Sequence, residues 1–333
     1  MEYTINLAEY DELMPYQKEK LCREIEDFRN LNKVSRQYML KTCPKCGSTH
    51  PNFTKAGFAN SGKQMVFCHD CHKRSVVDHG QLTYYSHQAQ SKWDQLMEDT
   101  LQQVSEEETA AKLDVSTYTV WRMRMKFTHS LQKLQENNVL SDEIELDEKY
   151  VQNSHKGKKI EGVKSRHRGE PASKRGLSDE QVCIVTGVQR LGDAVLLAAN
   201  CGNPGSEDIM KIQNSIADRS LIWTDGKTSY NQLINTKKCD CRVVGDHTTY
   251  TSVDHLNNVN SFHSMIEEWY RVYRGVASKY LNRYCALFTI VRHYQGCDIQ
   301  EIMLDLTRRL RQISDFFRIA DMKTKDLFVC QTV

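Results

Sequence analysis

The chain has 333 residues, long enough for two or three modules and a sizeable core. With 45 basic against 43 acidic side chains and a formal net charge of +2, no global field selects a partner, so any nucleic-acid binding must come from local clusters. No apolar stretch reaches the roughly 18 residues of a membrane span, and the opening "MEYTINLAEYDELMPYQKEK" is polar and acidic where a secretory signal would be basic and then apolar. The expectation is a cytoplasmic protein without membrane association.

Residues 1–42 read as an N-terminal helical segment, with Leu13, Tyr16, Leu21, Ile25, Phe28 and Leu31 recurring at three- and four-residue spacing. A second module, 43–79, opens on "CPKCGSTH". Cys43 and Cys46 form one CxxC pair, Cys68 and Cys71 another, with 21 residues between them. Four thiolates so spaced can close a tetrahedral zinc site, each pair forming a tight knuckle. Between them "FTKAGFA" and "KQMVFC" have strand character and meet across Asn60-Ser61-Gly62, a turn signal. The expectation is a zinc ribbon holding one structural Zn²⁺. His50, His69 and His72 are then left to pack, because four cysteines saturate the metal. Of twelve cysteines these four make the case for a reducing compartment, and the other eight read mostly as lone packed thiols.

Residues 91–135 turn helical. Ser105 followed by Glu108 is a capping box, and "ETAAKLDVSTYTVWRMRMK" has the pattern of a helix-turn-helix whose second helix begins near Ser116. That helix would present Thr117, Tyr118, Arg122, Arg124 and Lys126 to DNA. A plain helical hairpin would share the pattern; the neighbouring ribbon favours DNA binding.

Past "QENNVLSDE" the pattern becomes α/β. "EIELDEKYV", "VCIVTGVQR" and "DAVLLAAN" read as three strands, "SEDIMKIQNSIA" as a helix, "SLIWTD" and "CRVVG" as two more strands, and the rest as helices. Three strands in hairpin succession followed by alternating helix and strand is the order of a ribonuclease-H-like domain, here 141–333. The fold class expected for the whole chain is therefore multidomain α/β: a ribonuclease-H-like catalytic domain preceded by a zinc ribbon and a helix-turn-helix. Between its first two strands lies a basic loop, 153–178, carrying among others Lys156, Lys158, Lys159, Lys164, Arg166 and Arg168. Such a loop is either a solvated excursion or a clamp on a DNA backbone that orders on binding.

Two aspartates stand out. Asp147 follows "IEL" and Asp225 follows "LIWT", so each buried apolar run would deliver a carboxylate to a strand end. Phosphodiester chemistry with two Mg²⁺ ions needs hard oxygen ligands converging from separate segments. A lone strand-end aspartate is commonly a turn residue or cap, but two in this strand order are better explained as ligands.

The ribbon, the helix-turn-helix, "LDEKYV", the basic loop, "TDGKTSY" and "HLNNVNSFHS…RGVASKYLNRYCALF" together resemble a bacterial insertion-sequence transposase of the DDE superfamily, in the zinc-ribbon group with an Asp-Asp-Asn triad. The resemblance covers about residues 40 to 295 and keeps its parts in order. It implies Asp147, Asp225 and Asn260 as catalytic residues and magnesium ligands, Asp225 and Asn260 lying 35 positions apart. It also implies Mg²⁺-dependent cleavage and strand transfer, terminal inverted repeats and target duplex as DNA partners, and a homo-oligomer on DNA. An asparagine oxygen is a legitimate though neutral Mg²⁺ ligand. The sequence departs from the group at Glu267, where a lysine is usual seven residues beyond the third ligand; positions 260, 263 and 267 share a helix face, so Glu267 could instead restore a carboxylate. Arg271, Arg274, Lys279 and Arg283 are further candidates for backbone contact. Two other readings stay open: a catalytically inactive DNA-binding derivative, and a Mg²⁺-dependent nuclease without strand transfer.

Overall fold

The computed structural model describes residues 42–49, 52–60, 62–157, 176–245, 250–273 and 276–313, with Lys18, Leu40, Ser173, Lys174, Arg318, Ala320, Asp321, Thr324, Leu327 and Phe328. The N-terminal helical pattern and the middle of the basic loop, Lys158, Lys159, Lys164, Arg166 and Arg168 included, lie outside the described residues. The chain divides into two compact units, 1–79 and 80–333.

In the first unit, β1 (Phe53–Phe58), β2 (Gln64–Cys68) and β3 (Lys73–Val76) form an antiparallel sheet in that order. The turn between β1 and β2 falls where expected: Gly62 donates to the Ala59 carbonyl at 2.9 Å, and its φ of +77° suits glycine. β3 was not anticipated. It pairs with β2 in a register that sets Cys68 opposite Lys73, so the second CxxC is a hairpin corner.

The second unit opens with three helices, α1 (Gln90–Leu101), α2 (Glu106–Leu113) and α3 (Thr117–Gln135). Ser105 Oγ accepts the Glu108 N–H and Ser116 Oγ the Thr119 N–H, so serines start α2 and α3 as the sequence suggests. Asp114, left-handed at φ +49°, ends α2 and turns the chain into α3. From Met123 to Leu131 α3 is buried on every side, the signature of an internal helix. It shares one core with α1 and with α7 (Leu281–His293), through Trp93, Leu96, Val120, Phe127, Leu131, Cys285 and Leu287 among others. The helices read as a separate DNA-binding module thus pack into the same compact unit as the sheet.

That sheet contains β4 (Glu143–Gln152), β5 (Gln181–Gln189), β6 (Ala194–Cys201), β7 (Leu221–Thr224) and β8 (Asp240–Val243) in the order β6-β5-β4-β7-β8. β4, β5 and β6 are antiparallel neighbours, whereas β7 runs parallel to β4 and β8 parallel to β7. This is the ribonuclease-H-like arrangement. Both faces are covered, and alternate residues enter different cores: Val182, Ile184, Val188 and Trp223 face α3 and α7, while Cys183, Val185, Ile144, Leu146 and Ile222 face the other side. On that second side lie α4 (Ser206–Met210) and α5 (Asn231–Lys237). The helix expected over "SEDIMKIQNSIA" stops at Met210 and is followed by a 3-10 turn, Gln213–Ser215. Ile216 then bridges to Leu140, which a continued helix would forbid. The chain continues through α6 (Asn257–Val272), α7 and α8 (Ile299–Leu310).

Cys183 and Cys285 are buried thiols as expected, but Cys241 and Cys297 are exposed and Cys201 is disulfide-bonded, against the reading of packed, reduced cysteines.

Candidate active site

Parallel pairing of β4 with β7 matches Glu143 to Leu221, Ile144 to Ile222 and Glu145 to Trp223. Extending that register by two residues sets Asp147 beside Asp225, 78 positions away. Asp225 follows the end of β7 as expected, but Asp147 lies in the middle of β4, not at a strand end, because the strand runs on to Gln152 in register with β5. Gly226 makes the exit possible. Its φ is +84°, and a Cβ there would lie 2.6 Å from Val243 Cγ1, so any other residue would be strained and would push the Val243 side chain aside.

Glu148 joins the two aspartates: carboxylate oxygens of Asp147, Glu148 and Asp225 all lie within 4.8 Å of one another. Octahedral Mg²⁺ with bonds near 2.1 Å holds adjacent ligands about 3.0 Å and opposite ones about 4.2 Å apart, so the three carboxylates would draw together to engage one ion. Burial pushes the Asp147 carboxyl up to about 6, and the charges of Glu148 and Asp225 add to the effect. Glu148 has a fully buried side chain; its Oε2 is bonded to Lys227, and the buried Tyr230 hydroxyl lies against the same carboxylate. Lys227 Nζ also lies 2.9 Å from Asp225 Oδ2. Burial opposes the lysine's charge, but its hydrogen bonds to both carboxylates outweigh that and hold it protonated. An all-oxygen donor set of three converging carboxylates fits a hard divalent cation.

Helix α6 lies over this face. Asn258 Nδ2 donates to Glu145 Oε1 at 2.7 Å, the Val259 N–H donates to Glu145 Oε2 at 3.0 Å, His263 Nδ1 lies 3.8 Å from Asp147 Oδ2, and Glu267 is ion-paired with Lys149. Nine helical residues rise about 13.5 Å and four strand residues about 13 Å. The helix therefore tracks β4 in the same direction, with Asn260 on its exposed rim between the levels of Glu145 and Asp147. His263 is buried, its Nε2 is 2.9 Å from Thr186 Oγ1, and Thr186 is the cross-strand neighbour of Asp147. Burial and the Lys149 charge drive its pKa down to about 4, so near neutrality it is an uncharged packing group.

Glu145, itself fully buried, anchors all of this. Besides α6 it receives Arg190 Nε at 2.9 Å and lies 3.3 Å from His255 Nδ1, and the Arg190 guanidinium stacks 3.7 Å over Trp223. Glu145, Glu148, Lys227 and Arg190 were not anticipated from the sequence. The one available signal was the unusual density of carboxylates in "EIELDEK", a strand otherwise buried.

The zinc-ribbon cysteines come together as expected. The sulfurs of Cys43, Cys46, Cys68 and Cys71 lie within 4.8 Å of one another, those of Cys43 and Cys71 at 3.7 Å. Burial resists ionisation of Cys43, yet backbone and thiol hydrogen bonds bring it down to about 7, while burial pushes Cys71 up to about 12. One thiolate forms readily and the next waits for a cation, which suits a Zn²⁺ site.

The helix-turn-helix residues divide. Thr117 and Tyr118 are exposed at the start of α3; Tyr118 stacks on Trp121, and the Arg122 guanidinium sits 5.6 Å from its ring centre. Arg124 and Lys126 are buried, contrary to the DNA-contact reading. Arg124 Nη2 donates to the Val104 carbonyl at 3.0 Å and its Nε to Thr100 Oγ1 at 3.2 Å, and Lys126 Nζ donates to the Tyr84 carbonyl at 2.9 Å. The error follows from treating α3 as a surface helix. Arg283, buried beside Met125 and the Tyr280 ring, is corrected for the same reason. Lys156 and Arg271 are exposed, Lys279 lies 4.8 Å over the Tyr280 ring, and Arg274 is outside the described residues.

Residues 139–289 match the model of the ISXO2-like transposase domain. No curated protein matches the chain. Among solved structures, the Mos1 strand transfer complex aligns with 13% identity over 66% of this chain and 79% of that one, at a TM-score of 0.26. A pre-cleavage Mos1 transpososome aligns with 12% identity over 66% and 80%, at 0.22. Scores this low leave the assignment to the domain match and to the chain's own topology and site. The matched span takes in the whole mixed sheet, α6 and most of α7, so the chain contains an ISXO2-like transposase domain over residues 139–289.

Proposed function

We propose that this chain is a transposase of the DDE superfamily, which cleaves DNA at the ends of its element and joins the freed 3′-hydroxyl to target DNA, using divalent metal held by Asp147, Asp225 and Asn260. The observation that carries the reading is the convergence of Asp147 in β4 and Asp225 just past β7, with Glu148, within 4.8 Å of one another. Mg²⁺ bound there would supply Lewis acidity at the scissile phosphate and a nucleophile at neutral pH. Asp147 and Asp225 offer the anionic oxygens, and Asn260 a neutral one from the helix rim. His263, uncharged, fills the space behind Asp147 without repelling a cation.

The amide at position 260 is intelligible in this setting. Glu148 already brings a third carboxylate next to Asp147, so the helix need not supply one. Glu267 is not that carboxylate: it is engaged by Lys149, whose hydrogen bond and charge hold its pKa below the usual value. The cation usual on the helix sits instead on the strand, opposite Glu267. The ribbon with one Zn²⁺, Thr117, Tyr118 and Arg122 on α3, and the basic loop from Lys156 are proposed as the DNA-end contacts, with Arg271, Arg274 and Lys279 near the catalytic face. Pairing of two ends requires at least a dimer on DNA. Incubation with labelled element ends, target plasmid and Mg²⁺ tests the reading. Joined products are expected, lost on Asn260→Ala and on Asp147→Asn; nicks without joining mean a nuclease, and binding without cleavage an inactive derivative.

A further inference from the structure

Lys227 holds the position a cation would take. Its ammonium contacts Glu148 Oε2 and lies 2.9 Å from Asp225 Oδ2, which places it inside the cluster assigned above to metal. The three partners differ in freedom. Glu148 is fixed, because its side chain is 0% exposed. Asp225 is tied by Oδ1, which accepts the Lys227 backbone N–H at 3.1 Å. The Lys227 side chain is 38% exposed and ends a flexible four-carbon stem, so it can leave without disturbing the backbone. An ammonium also neutralises the site incompletely: its single charge faces Asp147, Glu148 and Asp225, three carboxylates within 4.8 Å of one another. A divalent cation with several coordination positions answers that need better than one positive charge does. Metal and ammonium compete for these oxygens, because Glu148 Oε2 and Asp225 Oδ2 already accept from Lys227 and the two cations repel each other.

We propose that Lys227 is a resident counter-ion of the metal-free site, displaced from Glu148 and Asp225 when a divalent cation binds, and that its freed ammonium then takes a DNA phosphate oxygen. This rests on the metal-binding reading of Asp147 and Asp225 and adds a regulatory step to it. Because expelling Lys227 opposes metal binding, and DNA phosphate offers it a new partner, metal and DNA each promote binding of the other. The free protein is thereby kept from loading metal until DNA is present. Lys227 is a positioning residue here; metal ligation is left to the carboxylates.

The experiment uses Mn²⁺ binding to the full chain, followed by electron paramagnetic resonance, with and without duplex DNA, alongside amine-reactive labelling of Lys227 read by mass spectrometry. For the wild type, DNA should tighten Mn²⁺ binding, and Mn²⁺ should raise the labelling rate of Lys227 severalfold. Lys227→Met should bind Mn²⁺ at least tenfold more tightly without DNA and gain less from adding DNA; Lys227→Gln serves if that variant does not fold. Asp147→Asn should abolish binding in either background. If Mn²⁺ binds through Asp147 while Lys227 labelling stays unchanged, or if the Lys227 variants bind no more tightly than wild type, the counter-ion inference is wrong and the metal site stands. If neither wild type nor variant binds Mn²⁺ with DNA present, the metal site itself is overturned and this inference with it.

Discussion

Arg122 and Arg124 stand two residues apart on α3 and have opposite surroundings. The Arg124 guanidinium is bonded inside the protein to Val104 and Thr100 and lies 3.8 Å from Glu106, with 2% of the side chain exposed. Removing it leaves buried acceptors unmet, so Arg124→Ala should lose about 2–4 kcal/mol of stability in denaturant unfolding. Arg122→Ala should change stability by less than about 0.5 kcal/mol, while narrowing the gap in affinity between element-end and random DNA. Equal unfolding midpoints for the two variants would refute this assignment. Glu145 makes a similar case nearer the chemistry. With its carboxylate buried against Arg190 and the first turn of α6, Glu145→Ala should cost about 3–5 kcal/mol by leaving Arg190 without its buried partner. Glu145→Gln, which preserves shape, should retain the fold but lower cleavage more than DNA binding, because the Asn260 end of α6 loses a charged anchor. Unchanged cleavage by a folded Glu145→Gln protein would show that the helix is held by packing alone.

At the scale of elements, the ribbon is three short strands with little core of its own. Val66, Cys43 and Cys68 are the buried hydrophobic residues described there, so the metal must contribute much of the folding free energy. Cys68→Ser, or a chelator, should release one zinc per chain and unfold residues 43–79 while 80–333 keep their own cooperative transition; calorimetry with metal analysis would check it. Freshly purified protein without zinc would contradict the site. In the second unit, α3 belongs to the same core as α7, so the helix-turn-helix and the sheet should melt together. A separate transition for 91–135 would show that the shared core is weaker than its burial indicates.

Taken whole, the molecule is nearly neutral, with a net charge of +2. Affinity for DNA must then come from a few local cations, and the loop beginning at Lys156 is the densest source. Neutralising Lys156, Lys158 and Lys159 should weaken binding to element-end and random duplexes alike and reduce the salt slope by about 0.9 for each phosphate no longer neutralised. A drop in selectivity equal to that of Arg122→Ala would remove the distinction between loop and helix. No helix among the described residues is long and apolar enough to cross a membrane.

The paired CxxC motifs, the strand order and the approach of Asp147 to Asp225 were legible in the sequence because each depends on local chemistry: ligand spacing, period-two apolar runs and turn residues. Where β4 ends was not, and Asp147 lies mid-strand. The serine caps of α2 and α3 were legible for the same reason, being bonds between residues three apart. What the sequence could not supply was which side of an element faces inward when both sides carry polar residues. Arg124 and Lys126 read as a surface stripe until α3 proved to be enclosed by α1 and α7. Glu145, Asp147 and Glu148 are equivalent letters in one strand, and only the parallel register with β7, the approach of α6 and the placement of Lys227 separate an anchor from the cluster of potential ligands. Partners 45 to 118 positions apart decide those roles, as in Arg190 with Glu145, Lys227 with Glu148 and Glu267 with Lys149. Charge pairing across such distances has no local signature, so tertiary packing alone determined it.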